Sequence, residues 1–395
     1  MKLPRPSARN KILTDLRNQK MARSAHAYVR GSTVQFYDWL HSQNGRRLPQ
    51  GPRVWICGDC HAGNLGPTAD ADGNIAIHIR DLDQCVIGNP AHDLVRLALS
   101  LTTAARGSDL PGVTNALMLE EMMQGYEQAL LDESDEMPER PSQVKASMRV
   151  AVRRTWKHLA RERIDDPRPE IPLGKRFWPL SSEERKAIKA LCASEELHNL
   201  VTQLRGRPKE ANVRLLDAAY WVKGCSSLGL LRYAVLLGVG DEQEEDYCLI
   251  DIKQAVAAAA PRAPRATMPR DNARRVVEGA RHLSPALGER MLATRFLDQG
   301  VFIRELLPQD MKLELDGFGT SDAILAAGYL ARVVGSAHAR QMDSSTRQAW
   351  IDELQLNRSK TLDAPSWLWR SVVQLVGSHE QGYLEHCRRY ALDHR

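Results

Sequence analysis

The sequence lacks any apolar run near the roughly 18 residues that a membrane-spanning helix needs, so no such helix is predicted. The N-terminal segment, MKLPRPSARNKILTDLRNQKM, is basic and polar and lacks the apolar segment of a secretory signal. Seven cysteines scattered over 395 residues do not suggest a disulfide framework, so we expect reduced thiols and a cytoplasmic protein. The net charge of +5 permits an anionic ligand such as a nucleotide but gives no reason to expect nucleic acid.

The chain is long enough for two or three packed units and shows no internal repeat. Proline and charge break the periodicity at 131–143, 165–179 and 257–271, which we interpret as linkers or surface excursions. The segment QLRGRPKEAN, residues 203–212, is typical of a boundary between structural units. We therefore expect different architectures on its two sides.

Before this boundary the chain is predicted to be mostly helical, with one short β segment. The stretch RVWICGDC is typical of a buried strand, and Ile75, Ile77 and Ile79 alternate with other residues in a second strand. Between them, GPTADADGN contains an Asp-Gly pair and is predicted to be the turn of a β-hairpin. PAHDLVRLALSLTTAAR then has the apolar stripe of a helix.

After the boundary the pattern changes to strands. Two apolar runs flank KGCSSLG, DYCLIDIKQA is a third, NARRVVEGARHL is predicted to be a helix, and ATRFLDQGVFIRELL to be two more strands. The order is β-β-β-α-β-β, followed by helices to the end. The predicted fold class is therefore α+β, with a small antiparallel sheet beside a larger, mainly helical part.

The segment CGDCHAGN, residues 57–64, permits two interpretations. Its first five residues match the C-x-x-C-H attachment motif of c-type haem. Haem of this type is attached outside the cytoplasm, so the missing export signal speaks against that interpretation. The same segment contains G-D-x-H-x-x-N, a spacing that places a catalytic aspartate and a metal-binding asparagine on one loop of a phosphotransferase.

Phosphoryl transfer requires in-line positioning, a divalent metal and a cradle for the phosphates. In this interpretation Asp59 orients or deprotonates the acceptor hydroxyl, and Asn64 offers an amide oxygen to Mg²⁺. Asp81 bridges the metal and the phosphates, with Asp83 as an assisting ligand. Asp59 and Asn64 also suit ordinary turn positions. A hairpin that joins them to the two later aspartates, however, brings these oxygen-bearing side chains to one end of a ribbon.

Asp93 opens the helix that follows the hairpin. An aspartate in the first turn of a helix is favoured by the helix dipole alone. The functional alternative is a buried carboxylate that accepts hydrogen bonds from the backbone of the catalytic loop. The two interpretations are compatible.

Three motifs in this order, CGDCHAGN, IRDLDQ and GNPAHDL, resemble those of aminoglycoside and choline kinases, which belong to the protein-kinase-like superfamily. With AHAYVRGST upstream and VFIRELLPQDMKLEL downstream, the set resembles an uncharacterised bacterial family, domain of unknown function 2252. The resemblance spans most of the chain. Cys57 departs from the kinase pattern, because those enzymes usually have histidine at this position.

The resemblance implies a two-lobed, protein-kinase-like fold that takes ATP and Mg²⁺. In the small lobe, Gly224 and Gly229 would belong to the turn over the phosphates, and Lys253 would bind the phosphates. A helix glutamate would pair with that lysine, and it is Glu278 or, alternatively, Glu289.

The resemblance also implies roles for several other residues. The backbone from Glu305 to Leu307 would form the hinge that receives adenine. Arg30 would contact phosphate or the catalytic loop, and His61 would orient the loop, although a lone histidine is more often structural. A zinc or two-metal site around Asp59 and His61 has less support, because the sequence contains no H-x-x-x-H motif.

The order of the motifs differs from that of ordinary kinases, in which the nucleotide lobe precedes the catalytic loop. Here the loop comes first, and AAGYLARVVGSAHARQMD, which resembles the helix normally preceding that loop, follows the hinge. Circular permutation is the simplest explanation, since the termini of a domain often lie close together. We therefore expect a helical lobe from residues 1–204 and 310–395, and a nucleotide lobe from residues 205–309.

The sequence thus predicts a Mg²⁺-ATP-dependent phosphotransferase with an unidentified hydroxyl acceptor, and neither a membrane nor nucleic acid is expected as a partner. A nucleotide-binding pseudokinase or an AMP-transferring enzyme would use the same residues. A metal-dependent phosphohydrolase would need neither ATP nor Lys253, and a pure interaction module would need no nucleotide. The basic segment 145–163 is predicted to be a solvated helix, with an anion-binding surface as the alternative.

Overall fold

The computed structural model describes residues 3–42, 48–108, 110–132, 140–153, 170–203, 207–225, 227–241, 246–311, 313, 319–356 and 365–390. Its helices are α1 (Arg9–Met21), α2 (Ala25–Gly31), α3 (Thr33–His41), α4 (Ala91–Gly107), α5 (Gly112–Leu131), α6 (Ser142–Arg153), α7 (Ser182–Cys192), α8 (Glu195–Thr202), α9 (Asn272–Leu283), α10 (Pro285–Gly288), α11 (Thr320–Ala339), α12 (Ser344–Gln355) and α13 (Ser366–Tyr390). Its strands are β1 (Val54–Ile56), β2 (Leu65–Ala69), β3 (Ile75–Ile79), β4 (Val86–Gly88), β5 (Phe177–Trp178), β6 (Val213–Trp221), β7 (Arg232–Val239), β8 (Asp246–Gln254), β9 (Met291–Phe296) and β10 (Gln299–Leu306). The predicted α+β class is confirmed.

The larger sheet is antiparallel and has the strand order β5-β6-β7-β8-β10-β9. Because α9 and α10 separate β8 from β9 along the chain, the predicted order β-β-β-α-β-β is confirmed. Alternation along β8 places Cys248, Ile250 and Ile252 in the apolar core on one face of this sheet. Asp251 and Lys253 therefore project from the opposite face.

Two short antiparallel ribbons carry the segment around residues 57–64. β1 pairs with β4, and β2 pairs with β3. This corrects the predicted hairpin, because the partner of β3 is Leu65–Ala69, which lies partly within the segment that we had assigned to the turn. The turn itself is closed by Asp70, whose Oδ1 accepts hydrogen bonds from the backbone of Asp72 and Asn74 at 2.9 and 2.8 Å. The β2–β3 ribbon ends where the Arg80 amide donates to the Asn64 carbonyl at 2.7 Å.

The helical part draws on both ends of the sequence. Helices α2 to α5 and α11 to α13 share one apolar core with the two ribbons. Within it α11 packs along α5, and the two backbones approach closely at a pair of glycines. A Cβ atom at Gly125 would lie only 2.2 Å from the carbonyl oxygen of Gly328. Residues from before and after the sheet in sequence thus share one apolar core.

Helix α1 contacts both the sheet and the helical part. Leu13 is buried in the core of the sheet, and Arg9 forms an ion pair with Glu184 of α7 at 2.6 Å. Near the other end of the helix, the Tyr383 hydroxyl donates to the Ala22 carbonyl at 3.2 Å. The helix therefore joins the sheet to α13.

The sheet also includes residues that we predicted for the helical lobe. Phe177 and Trp178 of β5 pair with Trp221 and Tyr220 of β6, although segment 165–179 was interpreted as a linker. Ile188 of α7 and Leu197, Leu200 and Val201 of α8 are buried in the sheet core. These helices precede the predicted boundary at residue 205, yet they pack on the sheet. They do so because their apolar faces are buried against the sheet core.

The other predicted segments have mixed outcomes. Residues 257–271 have no helix or strand, as expected for a surface excursion. The predicted basic helix 145–163 is present as far as Arg153 within α6, where Met148 is buried and Val152 is exposed. Residues 154–163, most of linker 131–143 and part of boundary 203–212 lie outside the described residues. Across the described chain, the helices fall short of the length and apolarity needed to cross a membrane.

The close approach of α5 and α11 predicts the outcome of Gly125→Ala. The added methyl group has to push Gly328 away, so we expect the free energy of unfolding to fall by about 1–3 kcal/mol. The matched control is Gly377→Ala in α13, where the added methyl group would have no neighbour within 4 Å. That substitution should be neutral or stabilise the protein by up to about 1 kcal/mol. Urea denaturation of both variants measures the difference, and equal midpoints would contradict this packing.

Candidate functional site

A cleft of about 970 Å³ brings together residues from the ribbons, the larger sheet and the N-terminal helices. Eight of the residues predicted for the site line it: Arg30, Asp59, His61, Asn64, Asp81, Asp83, Gly224 and Lys253. A volume of this size is at the upper end of that of ligand pockets in proteins. Segments about 170 residues apart in sequence therefore contribute to one cavity.

Asp93 holds the backbone of the loop at residues 57–64, which we predicted to be catalytic. Its carboxylate accepts hydrogen bonds from the backbone amides of Cys57 and Gly58, at 2.7 and 2.9 Å, as we predicted for a buried supporting residue. His338 of α11 contacts the same carboxylate at 3.2 Å and is itself bonded to the Tyr126 hydroxyl. Gly58 has a φ of +74°, a conformation that glycine adopts without strain.

Cys57 is buried in the core of the helical part, and so is Cys60. The Cys57 sulfur lies 3.6 Å from the carbonyl of Asp81. Both thiols face the apolar core instead of the cleft, so their placement does not suit covalent attachment of haem.

Asp59 is held from beneath by an arginine that the sequence analysis did not single out. Arg96 Nε of α4 donates to Asp59 Oδ1 at 2.8 Å, while its Nη2 donates to the Val29 carbonyl at 2.6 Å. Burial raises the pKa of Asp59 above its ordinary value, and the charge of Arg96 acts in the opposite direction. A buried carboxyl group with a raised pKa is suited to accept a proton.

Asn64 and Asp59 are connected within the loop. The Asn64 side-chain amide donates to the Asp59 carbonyl at 3.0 Å. This bond uses the amide nitrogen and not the Oδ1 atom, and Asn64 lines the cleft. The Oδ1 atom is the one that the predicted Mg²⁺ site requires.

His61 lies beside Asp59, with Nε2 of the ring 4.0 Å from Asp59 Oδ2. Burial, followed by the positive charges of Arg96 and Arg30, holds the pKa of His61 well below its ordinary value, so the ring is neutral. Arg30 packs against Gly63 of the same loop, where its Cζ atom would be 3.2 Å from an added Cβ. Both residues thus lie at the loop of residues 57–64, which we predicted to be catalytic.

Lys253 of β8 forms a charge cluster with the two aspartates that follow β3. It contacts Asp83 directly, and its Nζ is 3.6 Å from Asp81 Oδ1. The lysine is buried, whereas 51% of the Asp81 side chain remains exposed to the cleft. Partial desolvation by the surrounding protein would raise the pKa of Asp81, but the charge of Lys253 outweighs it and holds that pKa well below the usual value. Burial and the neighbouring Asp81 charge raise the pKa of Asp83 to about 6.

Other charged residues of the cleft were missed by the sequence analysis. Arg232 of β7 pairs with Asp251 of β8 through two hydrogen bonds, one of them 2.9 Å long. Burial favours the neutral acid, but Arg232 lowers the pKa of Asp251 to about 2. Arg304 of β10 donates to the Arg80 carbonyl at 3.0 Å and thereby connects the sheet to the end of the β2–β3 ribbon. The sequence signal that could have identified Asp251 is the alternation of residues along β8, which places it on the same strand face as Lys253.

The glutamate predicted to pair with Lys253 does not reach it. Glu278 is half-exposed on α9 and lies within ion-pair distance of Arg281 and His282 of the same helix. The alternative, Glu289, is also exposed. Lys253 instead uses the carboxylates of Asp81 and Asp83, which the β2–β3 ribbon brings closer than either glutamate.

The predicted hinge does not present its backbone to the cleft. The Glu305 amide donates to the Arg290 carbonyl at 3.2 Å, and the Glu305 carbonyl accepts from Arg290 Nη1 at 2.9 Å. The Leu307 amide donates to Asp310 Oδ2 at 3.1 Å. The side chain of Glu305 is buried and paired with Arg207 at 2.7 Å. The prediction that the backbone of residues 305–307 contacts adenine is therefore corrected, because these backbone groups are already hydrogen-bonded within the protein.

The predicted turn residues have different positions. Gly224 lines the cleft with a φ of +96°, and its carbonyl accepts a hydrogen bond from Lys20 Nζ of α1 at 3.0 Å. Gly229 lies instead near Asn10 of α1, whose Oδ1 would be 3.5 Å from an added Cβ. Only the first glycine is thus placed to approach a ligand in the cleft.

The donor atoms fit a metal that is brought in with phosphates. Asn64 and the half-exposed Asp81 both line the cleft, and Mg²⁺ typically takes one or two protein ligands together with phosphate and water oxygens. Among the described residues, no group of three or more histidine, cysteine, aspartate and glutamate side chains is arranged to hold a metal by itself.

Comparison with known proteins gives one family. Residues 9–389 match the family described as Uncharacterized protein conserved in bacteria (DUF2252), and the chain belongs to that family. No curated protein and no solved structure matches the chain.

The position of Asp93 predicts the outcome of Asp93→Ala. The substitution leaves two buried backbone amides without their acceptor and His338 Nε2 without the carboxylate, so we expect a loss of about 3 kcal/mol or more in the free energy of unfolding. Replacing the exposed Glu289 with alanine should change it by less than about 0.5 kcal/mol. Guanidinium denaturation of both variants gives the comparison. A loss below about 1 kcal/mol would mean that the loop does not depend on Asp93.

Proposed function

For this DUF2252 protein we propose a Mg²⁺-ATP-dependent phosphotransferase activity toward a hydroxyl acceptor. The observation that carries the proposal is the charge cluster at the floor of the cleft, where Lys253 contacts Asp83 and lies 3.6 Å from Asp81. Asp59 and Asn64 line the same cleft. A lysine for phosphates, oxygen ligands for a divalent cation and a carboxylate for the acceptor form the minimum set for phosphoryl transfer.

Each side chain has a proposed task. Lys253 binds the phosphates of the nucleotide, and Asn64 Oδ1 and the Asp81 carboxylate hold the metal. Mg²⁺, when bound, supplies neutralisation of the phosphate charge. Asp83 keeps Lys253 in place, and Asp59, oriented by Arg96, accepts the proton of the acceptor hydroxyl. Asp93 holds the backbone of the loop that presents Asp59.

We also propose that the fold is protein-kinase-like and circularly permuted. Support comes from the common core of the helices before and after the sheet, and from the contact between His338 of α11 and Asp93 below the loop. In the proposed arrangement α11 is the helix that precedes the catalytic loop in the unpermuted order. The small antiparallel sheet with α9 is the nucleotide lobe.

The first prediction concerns nucleotide binding. ATP at 100 times its dissociation constant should stabilise the native protein by about 2.7 kcal/mol, a shift in melting temperature of a few degrees. The shift should require Mg²⁺ and be largely lost in Lys253→Met and Asp81→Asn. Because Lys253→Met leaves the partly buried Asp83 without its cation, the variant itself is expected to be less stable. The measurement is therefore the difference between melting with and without ATP for each protein.

Lys186→Met is the matched control, since this lysine is exposed on α7 and outside the cleft wall. Its ATP-dependent shift should equal that of the wild type. Absence of any shift in the wild type at millimolar ATP would refute the proposal and direct attention to a phosphohydrolase. Binding that is followed by transfer of AMP instead of phosphate, as seen in the product mass, would replace phosphotransferase by AMP transfer.

The second prediction concerns the base of the nucleotide. Hydrogen bonds from hinge backbone groups would give discrimination, but here the amides of Glu305 and Leu307 and the carbonyl of Glu305 are bonded within the protein. We therefore expect ATP and GTP to bind with dissociation constants within about tenfold of each other. Competition titration with both nucleotides tests this. A preference for ATP above about 100-fold would show that the base is read by other groups.

A further inference from the structure

The cleft carries more positive charge than its own carboxylates balance. Ten lysine and arginine side chains line it, against five carboxylates. Every carboxylate already contacts a cation; the pairs are Asp59 with Arg96, Asp81 and Asp83 with Lys253, Asp251 with Arg232, and Asp310 with Arg290. Several of the other basic side chains that line the cleft form no ion pair with a carboxylate among the described residues, and these can contact a ligand that is itself anionic.

Much of this excess comes from two parts of the cleft wall, here together called the cationic end. Lys20, Arg23 and Arg30 belong to α1, α2 and the link between them, and Lys175 and Arg176 belong to the segment before β5. Across the part of the chain that the structure describes, no carboxylate forms an ion pair with Arg23, Arg30 or Arg176. A cluster of like charges without counter-charges is unfavourable unless an anion joins it.

This end of the cleft adjoins the proposed catalytic carboxylate. Arg30 rests on Gly63, two residues from His61, and His61 in turn is 4.0 Å from Asp59. The Nδ1 atom of His61 is buried and has no hydrogen-bond partner among the described residues. The ring is 4% exposed and lines the cleft. An unused hydrogen-bonding nitrogen and an unpaired arginine therefore stand together beside Asp59.

In the proposed mechanism, the nucleotide has no assigned contact with the basic side chains of the cationic end or with His61. Its phosphates are assigned to Lys253 and to the metal held by Asn64 and Asp81. The acceptor, by contrast, has to approach Asp59, because its hydroxyl proton goes to that carboxylate as the hydroxyl oxygen bonds to the γ-phosphorus. The bond from the γ-phosphorus to its bridging oxygen then breaks, and ADP leaves. The cationic end is therefore where the rest of the acceptor lies.

We propose that the acceptor is a small hydroxyl compound that carries an oxyanion, a phosphate ester or a carboxylate, bound by Arg23 and Arg30. This inference rests on the proposed phosphotransferase function and specifies the class of its acceptor. Arginine binds both kinds of oxyanion through two parallel hydrogen bonds, which positions the ligand as well as attracting it. The cleft, at about 970 Å³, has room for a small acceptor beside a nucleotide.

Binding of three matched probes tests the inference: glycerol, glycerol 3-phosphate and glycerate. Each is titrated into the full-length protein by calorimetry, with and without saturating ADP and Mg²⁺. We expect at least one of the anions to bind the wild type at least about tenfold more tightly than glycerol. Arg23→Gln and Arg30→Gln should each weaken that binding about tenfold, as expected for loss of one charge-assisted contact. Whichever anion is preferred identifies the oxyanion.

Arg185→Gln is the matched control, because it removes the same charge from an exposed position on α7 outside the cleft wall. Its affinity for the anion should equal that of the wild type. Arg23 is exposed, so Arg23→Gln keeps the test valid if Arg30→Gln is less stable on melting.

Two results overturn the inference while leaving the proposed function intact. One is normal binding of ADP and Mg²⁺ by a wild-type protein that binds neither anion more tightly than glycerol. The other is weaker binding of ADP and Mg²⁺ by Arg23→Gln and Arg30→Gln with unchanged anion binding, since the arginines would then serve the nucleotide. Failure of the wild type to bind ADP and Mg²⁺ at all refutes the proposed function itself.

Discussion

The charge cluster of Lys253, Asp81 and Asp83 is the interaction on which the cleft depends. The lysine belongs to the larger sheet and the aspartates follow the β2–β3 ribbon, so the cluster fixes these two parts against each other. Burying charges costs more than packing apolar side chains of similar volume, and removing one partner of such a pair is strongly destabilising. A set of charges held at that cost, with Asp81 open to solvent, is better explained by a ligand than by stability.

Features that depend on local sequence were predictable. The order of strands and helices around β8 was predicted correctly, and bonding of Asp93 to the loop backbone was one of the two compatible interpretations of its position. The β2–β3 hairpin was assigned to the wrong strand because Gly66 and Pro67 are typical turn residues. They lie in β2, since the pairing with β3 and the backbone of Met311, which donates to the Pro67 carbonyl at 3.2 Å, override local preference.

Features that depend on partners distant in sequence were not predictable. Arg96 is conspicuous in the sequence as a charged residue within the apolar run of α4. Its pairing with Asp59, however, depends on how α4 packs against the loop. The expected pairing of Lys253 with Glu278 failed because two nearer carboxylates satisfy the lysine. The hinge prediction failed for a similar reason, since Arg290 and Asp310 bond to the backbone that was assigned to adenine.

The contacts of α1 limit how the cleft can move. The sheet is tied to the helical part on one side by α1, whose Arg9 bonds to α7 while its C-terminal end contacts α13. On the other side it is tied by the backbone of Met311 and Leu313, which pairs with β2. Two lobes that are joined by a single connection can open by rotating about that hinge. Here the sheet contacts the helical part on two sides, and these contacts oppose such a rotation. In the proposed phosphotransferase, ligand exchange should therefore follow small rearrangements of side chains and of the Gly224 turn, without a large domain rotation.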